Sequence, residues 1–495
     1  MKPWHILVFL ISVFMLLALI GAVLPKEGLS LGEGHALRFP SAQHVLFPTE
    51  QELVDISDIL AVPTDSMSVP DTAAQRASAE DTITAPPPFV FDASKLPPLE
   101  QRIALHYPEG NKTVLYPLFA ALEGSRSRKK PVRVLHYGDS QIEGDRITSY
   151  LRNKLQTQFG GSGPGLFAVA DIVPSFSVER TLSENWRRYS AMGRKDPSMH
   201  HDRFGALSAF SRFTPILPDS VPVDTVEHEA TITLRPEKRA YAKAREFQVC
   251  KLFFGWHRAP LMLQIASNGE VISSEVIPAS DHHLVREWRF DDVFAEVVIT
   301  MKGADSPDVF GVSLESRQGV CMDNIAARGS AGYEFRRMDQ GLLQRMYNEL
   351  DVALLILQYG GNILPNLKSA DEAIQYGRFL GAQIARFKKL IPGVCVIVIG
   401  PSDMSIKDGD VFMTRPLLEE VNDAMRINTL AQGAVFWDMY SAMGGRNSMV
   451  SWVEADPPLA ATDYTHFSPQ GARKVGELFW TALVNDFALY HASRK

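Results

Sequence analysis

The strongest constraint on this chain is a recurring pattern: a short, largely apolar run, then a turn carrying glycine, then a stretch with helical periodicity. VRVLHY at 132–137 runs into Gly138-Asp139-Ser140, and Ile147, Tyr150, Leu151, Leu155 and Phe159 follow at the spacing of one helix face. DVALLILQY at 351–359 runs into Gly360-Gly361-Asn362, and VCVIVI at 394–399 into Gly400-Pro401-Ser402, with helices expected around 370–389 and 415–432. Runs apolar on both sides suit parallel strands covered by helices on both faces. The alternation therefore predicts a three-layer α/β domain, with the working residues at the carboxyl ends of its strands.

Between about 178 and 315 the texture changes to short alternating segments, among them ATITL at 230–234, LMLQI at 261–265 and VFGVSLE at 309–315. Asn268-Gly269 between two of them is a strong hairpin signal. Short strands at this spacing predict an inserted β-sandwich, jelly-roll-like, over 181–315. The α/β domain is then split into 100–180 and 316–495, its first part including a helix near 116–122 and a solvated basic loop at 125–130. Phe253, Trp256 and Trp288 of the insert are read as core at strand spacing, although such rings also stack on sugars.

Residues 6–24 are apolar, uncharged and numerous enough to cross a bilayer as a helix. They are longer than the core of a usual cleaved signal, so 1–24 is expected to be a membrane anchor, with secretion after cleavage as the alternative. The Lys2 side precedes it, which places the bulk of the chain outside the cytoplasm, on the periplasmic side of a bacterial inner membrane. Residues 25–99 are rich in Pro, Ser, Thr, Ala and Asp without an apolar period, and read as a flexible tether.

A formal net charge of -7 gives no electrostatic ground for a nucleic-acid partner. The 3 cysteines, Cys250, Cys321 and Cys395, lack paired spacing, so neither a zinc site nor a disulfide framework is expected, and no cofactor or metal is implied.

Ser140 stands at a strand end before a helix, where a hydroxyl meets free amides and the positive end of the helix dipole. The bland alternative is that Asp139 or Ser140 caps that helix. Near the other end, Asp463-Tyr464-Thr465-His466 puts an acid and an imidazole on one loop. Asp463 can accept the Nδ1 proton of His466, which leaves Nε2 free to take a proton from a serine. Asn362 offers a side-chain NH2 and Gly332 a backbone N–H for a developing oxyanion, although both also fit ordinary turn chemistry. Glu143 and Asp145 read as a solvated or rim pair, and His136 as a bystander.

Gly138-Asp139-Ser140, Gly332, Gly360-Gly361-Asn362 and Asp463-Tyr464-Thr465-His466 stand in the chain order of the four sequence blocks of the SGNH (GDSL-like) hydrolases, which the chain resembles over roughly 131–180 and 316–485. The resemblance implies Ser140 as nucleophile, His466 as base, Asp463 as its partner, and an oxyanion hole from the amides of Ser140 and Gly332 with the Asn362 side chain. Gly329 is the alternative to Gly332 in the same run. Gln141 follows the serine where the family pattern has Leu, and Ile363 follows Asn362 where many members have Asp. A β-rich insert between the serine and glycine blocks, behind an export signal, is similar to bacterial peptidoglycan O-acetylesterases. The expected activity is removal of O-acetyl groups from a cell-envelope glycan, with an O-acetyltransferase or a non-catalytic glycan-binding protein as alternatives.

Overall fold

The computed structural model describes residues 3–23, 29–32, 35–37, 51, 53–61, 89, 91–290 and 296–494. Most of the expected tether lies outside them.

Its centre is a five-stranded sheet in the order Val320–Ala326, Val132–Gly138, Val352–Gln358, Cys395–Ile399, Val435–Trp437, and every neighbouring pair is parallel. Alternate side chains go to opposite faces. Val134, Ile356 and Ile397 pack with Leu151 of helix Thr148–Phe159 and Phe479 of helix Pro469–Ser493. Leu135, Leu357 and Val398 pack with Leu343 of helix Gln340–Leu350 and Ile384 of helix Ala370–Leu390. The three expected strand runs are therefore largely apolar because each is covered on both sides, with Arg133, His136 and Gln358 as buried polar exceptions. The chain's first sheet strand, Val132–Gly138, lies between the second and the third in sequence. The sheet direction reverses there, and an α/β sheet opens a crevice at such a point.

Two antiparallel sheets form the insert. One runs Glu270–Ile277, Leu261–Ser267, Val297–Gly303, His228–Pro236, Val178–Leu182, and the other Ser280–Arg289, Val249–His257, Asp308–Glu315, Ala209–Arg212, Arg187–Ser190, with Gly165–Phe167 also paired to Asp308–Glu315. Their inner faces share a core that includes Ile232, Leu263, Ile299, Phe254 and Val312. Ser267 pairs with Glu270 across Asn268 and Gly269, whose φ angles of 49° and 87° are those of the tight hairpin their sequence predicts. Phe253 and Trp288 are buried, while Trp256 is half-buried with the Arg203 guanidinium 4.6 Å above its ring.

The sandwich is joined to the α/β domain by charge as well as by apolar contact. Arg133 on the central strand bonds Glu315 at the end of the sandwich and, at 2.9 Å, Asp323 on the neighbouring strand. Lys251 of the sandwich reaches the other Glu315 oxygen at 2.7 Å. Burial alone would raise the Glu315 pKa, but Arg133 and Lys251 outweigh it and hold the carboxyl well below its ordinary range.

Three expectations need correction. The described part of the expected tether is packed against the α/β domain: Ser57–Ala61 is a short helix whose Ile59 is buried in the core, and Gln51 exchanges hydrogen bonds with the Phe412 backbone. The helix expected directly after Ser140 does not begin there. Ser140–Asp145 is a 3₁₀ segment broken at Glu143 and Gly144, and the α-helix starts at Thr148. Asp145 is not a rim carboxylate. It is 2% exposed, and it receives both Nη atoms of Arg152 at 2.6 and 3.0 Å and the hydroxyl of Ser177. That pull, with positive φ at Gly144 and Asp145, turns the chain away from the helix.

At the amino end, Pro3–Val23 is a helix with outward apolar side chains including Trp4, Phe9, Phe14 and Leu17. Across described residues no helix is long and apolar enough to cross a membrane, so the bilayer crossing expected over 6–24 rests on sequence alone.

Candidate active site

Strand Val132–Gly138 delivers Ser140 to the crevice, and Val352–Gln358 delivers Asn362 from the neighbouring strand end. Gly138 is needed because a Cβ there would lie 2.9 Å from the Ile142 side chain and 3.1 Å from the Gln358 carbonyl. The loop before helix Pro469–Ser493 folds over this edge. His466 Nε2 stands 2.9 Å from Ser140 Oγ, and His466 Nδ1 stands 2.7 Å from Asp463 Oδ2. The structure thus brings together the three residues expected to share a proton relay. Ser140 and His466 are half-buried, whereas Asp463 is exposed.

Asp463 Oδ1 accepts the backbone N–H groups of Thr465 and His466, each at 3.0 Å. Burial pushes the carboxyl up, but those amides and the imidazole more than offset it and leave its pKa below the ordinary value. Asp463 therefore stays ionised and fixes the ring with its Nδ1 proton on the carboxylate side. Tyr464, between them, takes a φ of 54°. Its ring stacks on Phe412 at 3.7 Å, and its carbonyl accepts Ser405 N–H at 3.0 Å. Phe412 and Ser405 belong to the hairpin Ser405–Asp408 and Val411–Thr414, which buttresses the loop.

The expected oxyanion donors are placed less simply. The Asn362 side-chain NH2 donates to Asp139 Oδ2 at 2.8 Å and to the Ser330 carbonyl at 3.1 Å. Gly332 N–H donates to Ser330 Oγ at 2.9 Å, and that hydroxyl donates to the buried Glu334 carboxylate. Gly329, in the same turn, has open space where a side chain would stand. Asn362 lines the same small cavity as Ser140 and His466, so it is within the site even though both its hydrogens are engaged.

Asp139, beside the nucleophile, is fully enclosed, and burial pushes its carboxyl up to about 6 although Gln141 N–H, the His466 ring and the Asn362 amide all favour its charge. His136 lies beneath the site, bonded to Gln358 and Thr148 and pushed by burial down to about 4. It faces away from Ser140 chemistry, in keeping with its reading as a bystander.

Two residues passed over in the sequence hold the site together. Gln141 Nε2 donates to the Thr465 carbonyl at 2.7 Å and to Ser402 Oγ at 3.3 Å, while Oε1 accepts Phe467 N–H at 3.5 Å. Arg146 bonds the Ser140, Glu143 and Phe467 carbonyls. The available signal was a polar residue directly after the serine where the family pattern is apolar. Glu143, at the rim, pairs with Arg328 at 2.8 Å. Among described residues, no group of acidic, histidine or cysteine side chains could hold a metal ion.

No family model and no curated protein matches the chain. Among solved structures, a peptidoglycan O-acetylesterase superposes with a TM-score of 0.58 at 19% identity, covering 78% of this chain and 99% of that one. A putative GDSL-like lipase from Bacteroides ovatus matches at 11% identity, over 60% of this chain and 94% of that one, with a TM-score of 0.23. A family two carbohydrate esterase from Clostridium thermocellum matches at 7% identity, over 62% and 99%, with a TM-score of 0.24. At these identities the first likeness establishes a common fold, and the scores of the other two are too low to support an argument.

Proposed function

We propose that this chain, which has the fold of the SGNH (GDSL-like) hydrolases, is a serine esterase that removes O-acetyl groups from a cell-envelope glycan. One observation carries the reading: Ser140 Oγ, His466 Nε2 and Asp463 Oδ2 form an unbroken hydrogen-bonded chain at 2.9 and 2.7 Å, with the serine open to a cleft. In this mechanism Ser140 Oγ attacks the acetyl carbonyl as His466 Nε2 takes its proton. The sugar oxygen leaves with that proton, and water activated by His466 releases acetate from the acyl-enzyme. The Ser140 amide receives the developing oxyanion, and the Asn362 NH2 joins it by giving up the Ser330 carbonyl.

The same reading makes the amino-terminal helix a membrane anchor, and the chain between it and the folded domain the link that lets the site reach its polymer. Membrane fractionation of the full chain tests it, since protein found only in the soluble fraction would remove the anchor.

The activity test is acetate release from O-acetylated glycans and from a short aryl acetate, by the wild type and by Ser140→Ala. We expect Ser140→Ala to stay folded and to lose turnover. Near-normal turnover by a folded Ser140→Ala protein would overturn the assignment, and net acetyl gain on the glycan would identify a transferase instead.

A further inference from the structure

A second cavity opens at the same sheet edge, between the serine turn and the sandwich, and encloses about 930 Å³ including its open mouth. Its inner wall is formed by Glu143 and Gly144 of the serine turn and by Ala326–Arg328 after the adjoining strand, and its outer wall by Arg188, Ser190 and Ser208 of the sandwich. Met192 lines this cavity and also the groove that contains Asn362. A polymer with one residue at Ser140 can therefore pass Met192 and place a neighbouring group beside Arg188.

The charges of this cavity do not balance locally. Asp145 is held by Arg152, Glu143 by Arg328, and Asp171 by Arg180 at 2.9 Å. Each lining carboxylate thus has its own cation. Arg188 has no ion pair or hydrogen bond from its side chain among the described residues, and its Nε is buried without a partner. Burial lowers its pKa, and the through-space attraction of Asp171 only partly offsets this. Arg188 thus brings an unpaired guanidinium to a cavity whose carboxylates are all engaged, and an anion entering the cavity would meet its terminal nitrogens.

We propose that Arg188 forms an anion subsite on the sandwich wall of the cleft, which takes a carboxylate carried by the O-acetylated glycan. This rests on the glycan-esterase reading and narrows its substrate to an acidic polymer. It also gives the sandwich a role in selectivity through a charged residue of strand Arg187–Ser190 and not through its aromatic side chains.

The test uses the full chain with Ser140→Ala, so that binding is read without turnover. The ligands are an O-acetylated xylo-oligosaccharide bearing glucuronate, its neutral counterpart, and an O-acetylated muropeptide fragment. We expect at least one acidic ligand to bind about tenfold more tightly than the neutral one, the preference showing whether sugar or peptide carries the carboxylate. Arg188→Gln should abolish the preference and Arg188→Lys restore part of it. If Arg188→Gln does not fold, Arg188→Met, which keeps the aliphatic stem and removes the charge, should lose the same preference. Equal binding of all three ligands, or a preference that survives Arg188→Gln, would overturn the subsite. Lack of ester turnover by the wild type with the acidic preference intact would overturn the esterase reading and leave the subsite standing.

Discussion

Asn362 serves two partners. Its NH2 bridges Asp139 and the Ser330 carbonyl at rest, and in the proposed reaction one of its hydrogens turns to the oxyanion. Asn362→Ala should therefore lower kcat by about 10²–10³ with little change in KM. It should also raise the Asp139 pKa above its value of about 6, because a donor that favours the charged form is lost. Steady-state kinetics and a carboxyl titration followed by NMR check the two effects separately. The sign of the pH dependence follows from the same shift. A carboxyl whose folded pKa is raised contributes stability below its unfolded value, and that contribution is lost as pH rises through about 6. Asp139→Asn should flatten the stability profile between about pH 4 and 6, and an unchanged slope in chemical denaturation would contradict the assignment. For the relay, His466→Ala deletes the proton acceptor whereas Asp463→Asn leaves the ring in place. Because Asp463 is exposed and its field is screened by water, the second loss in kcat/KM should be the smaller. Ser140, Asp463 and His466 were legible in the sequence because motif order and local spacing specify them. The engagement of Asn362 was not, since it depends on Asp139 and Ser330 from two other turns, nor was that of Gly332, which depends on how Glu334 holds Ser330 within its own turn.

At the scale of the elements, the serine turn and the histidine loop are two irregular segments, and Gln141 connects them through two hydrogen bonds, to the Thr465 carbonyl and the Phe467 amide, while also bonding Ser402. Gln141→Leu restores the family pattern at that position yet removes these bonds. We expect kcat to fall by roughly tenfold, with KM nearly unchanged and a lower melting temperature, because the imidazole loses its fixed approach to Ser140. Unaltered kcat in Gln141→Leu would show that the Phe412–Tyr464 stack alone positions the loop. The parallel strands and the later helices could be read from sequence because their apolar periods are set within each segment. The broken 3₁₀ turn could not, because its shape depends on Arg152, seven positions beyond Asp145, and on Ser177, which lies beyond the helix.

At the scale of the whole molecule, Glu315 sits where the sandwich rejoins the sheet, with Arg133 on one side and Lys251 on the other. Glu315→Gln leaves both cations short of a partner in a buried place, and should cost about 3–5 kcal/mol in thermal or chemical unfolding. Its depressed pKa means that its contribution is present above the ordinary value of 4.5 and is lost as pH falls from there through about 2, so the mutant's deficit should shrink in acid. The existence of the insert was legible from its alternating segments and the Asn268-Gly269 turn. The short strand Gly165–Phe167, which precedes the region expected to be sandwich, was not, because it gains its identity only by pairing with Asp308–Glu315.

The Arg133–Glu315–Lys251 bridge has a further consequence for how substrate enters. Moving the sandwich away from the sheet would break the buried Arg133–Glu315 pair and strand its charges in apolar surroundings, so the outer wall of the cleft is riveted and does not swing as a lid. A polymer must then thread into a channel of fixed width. Stopped-flow binding to the Ser140→Ala protein should show one concentration-dependent phase, without the slower unimolecular step that closure of a gate would add.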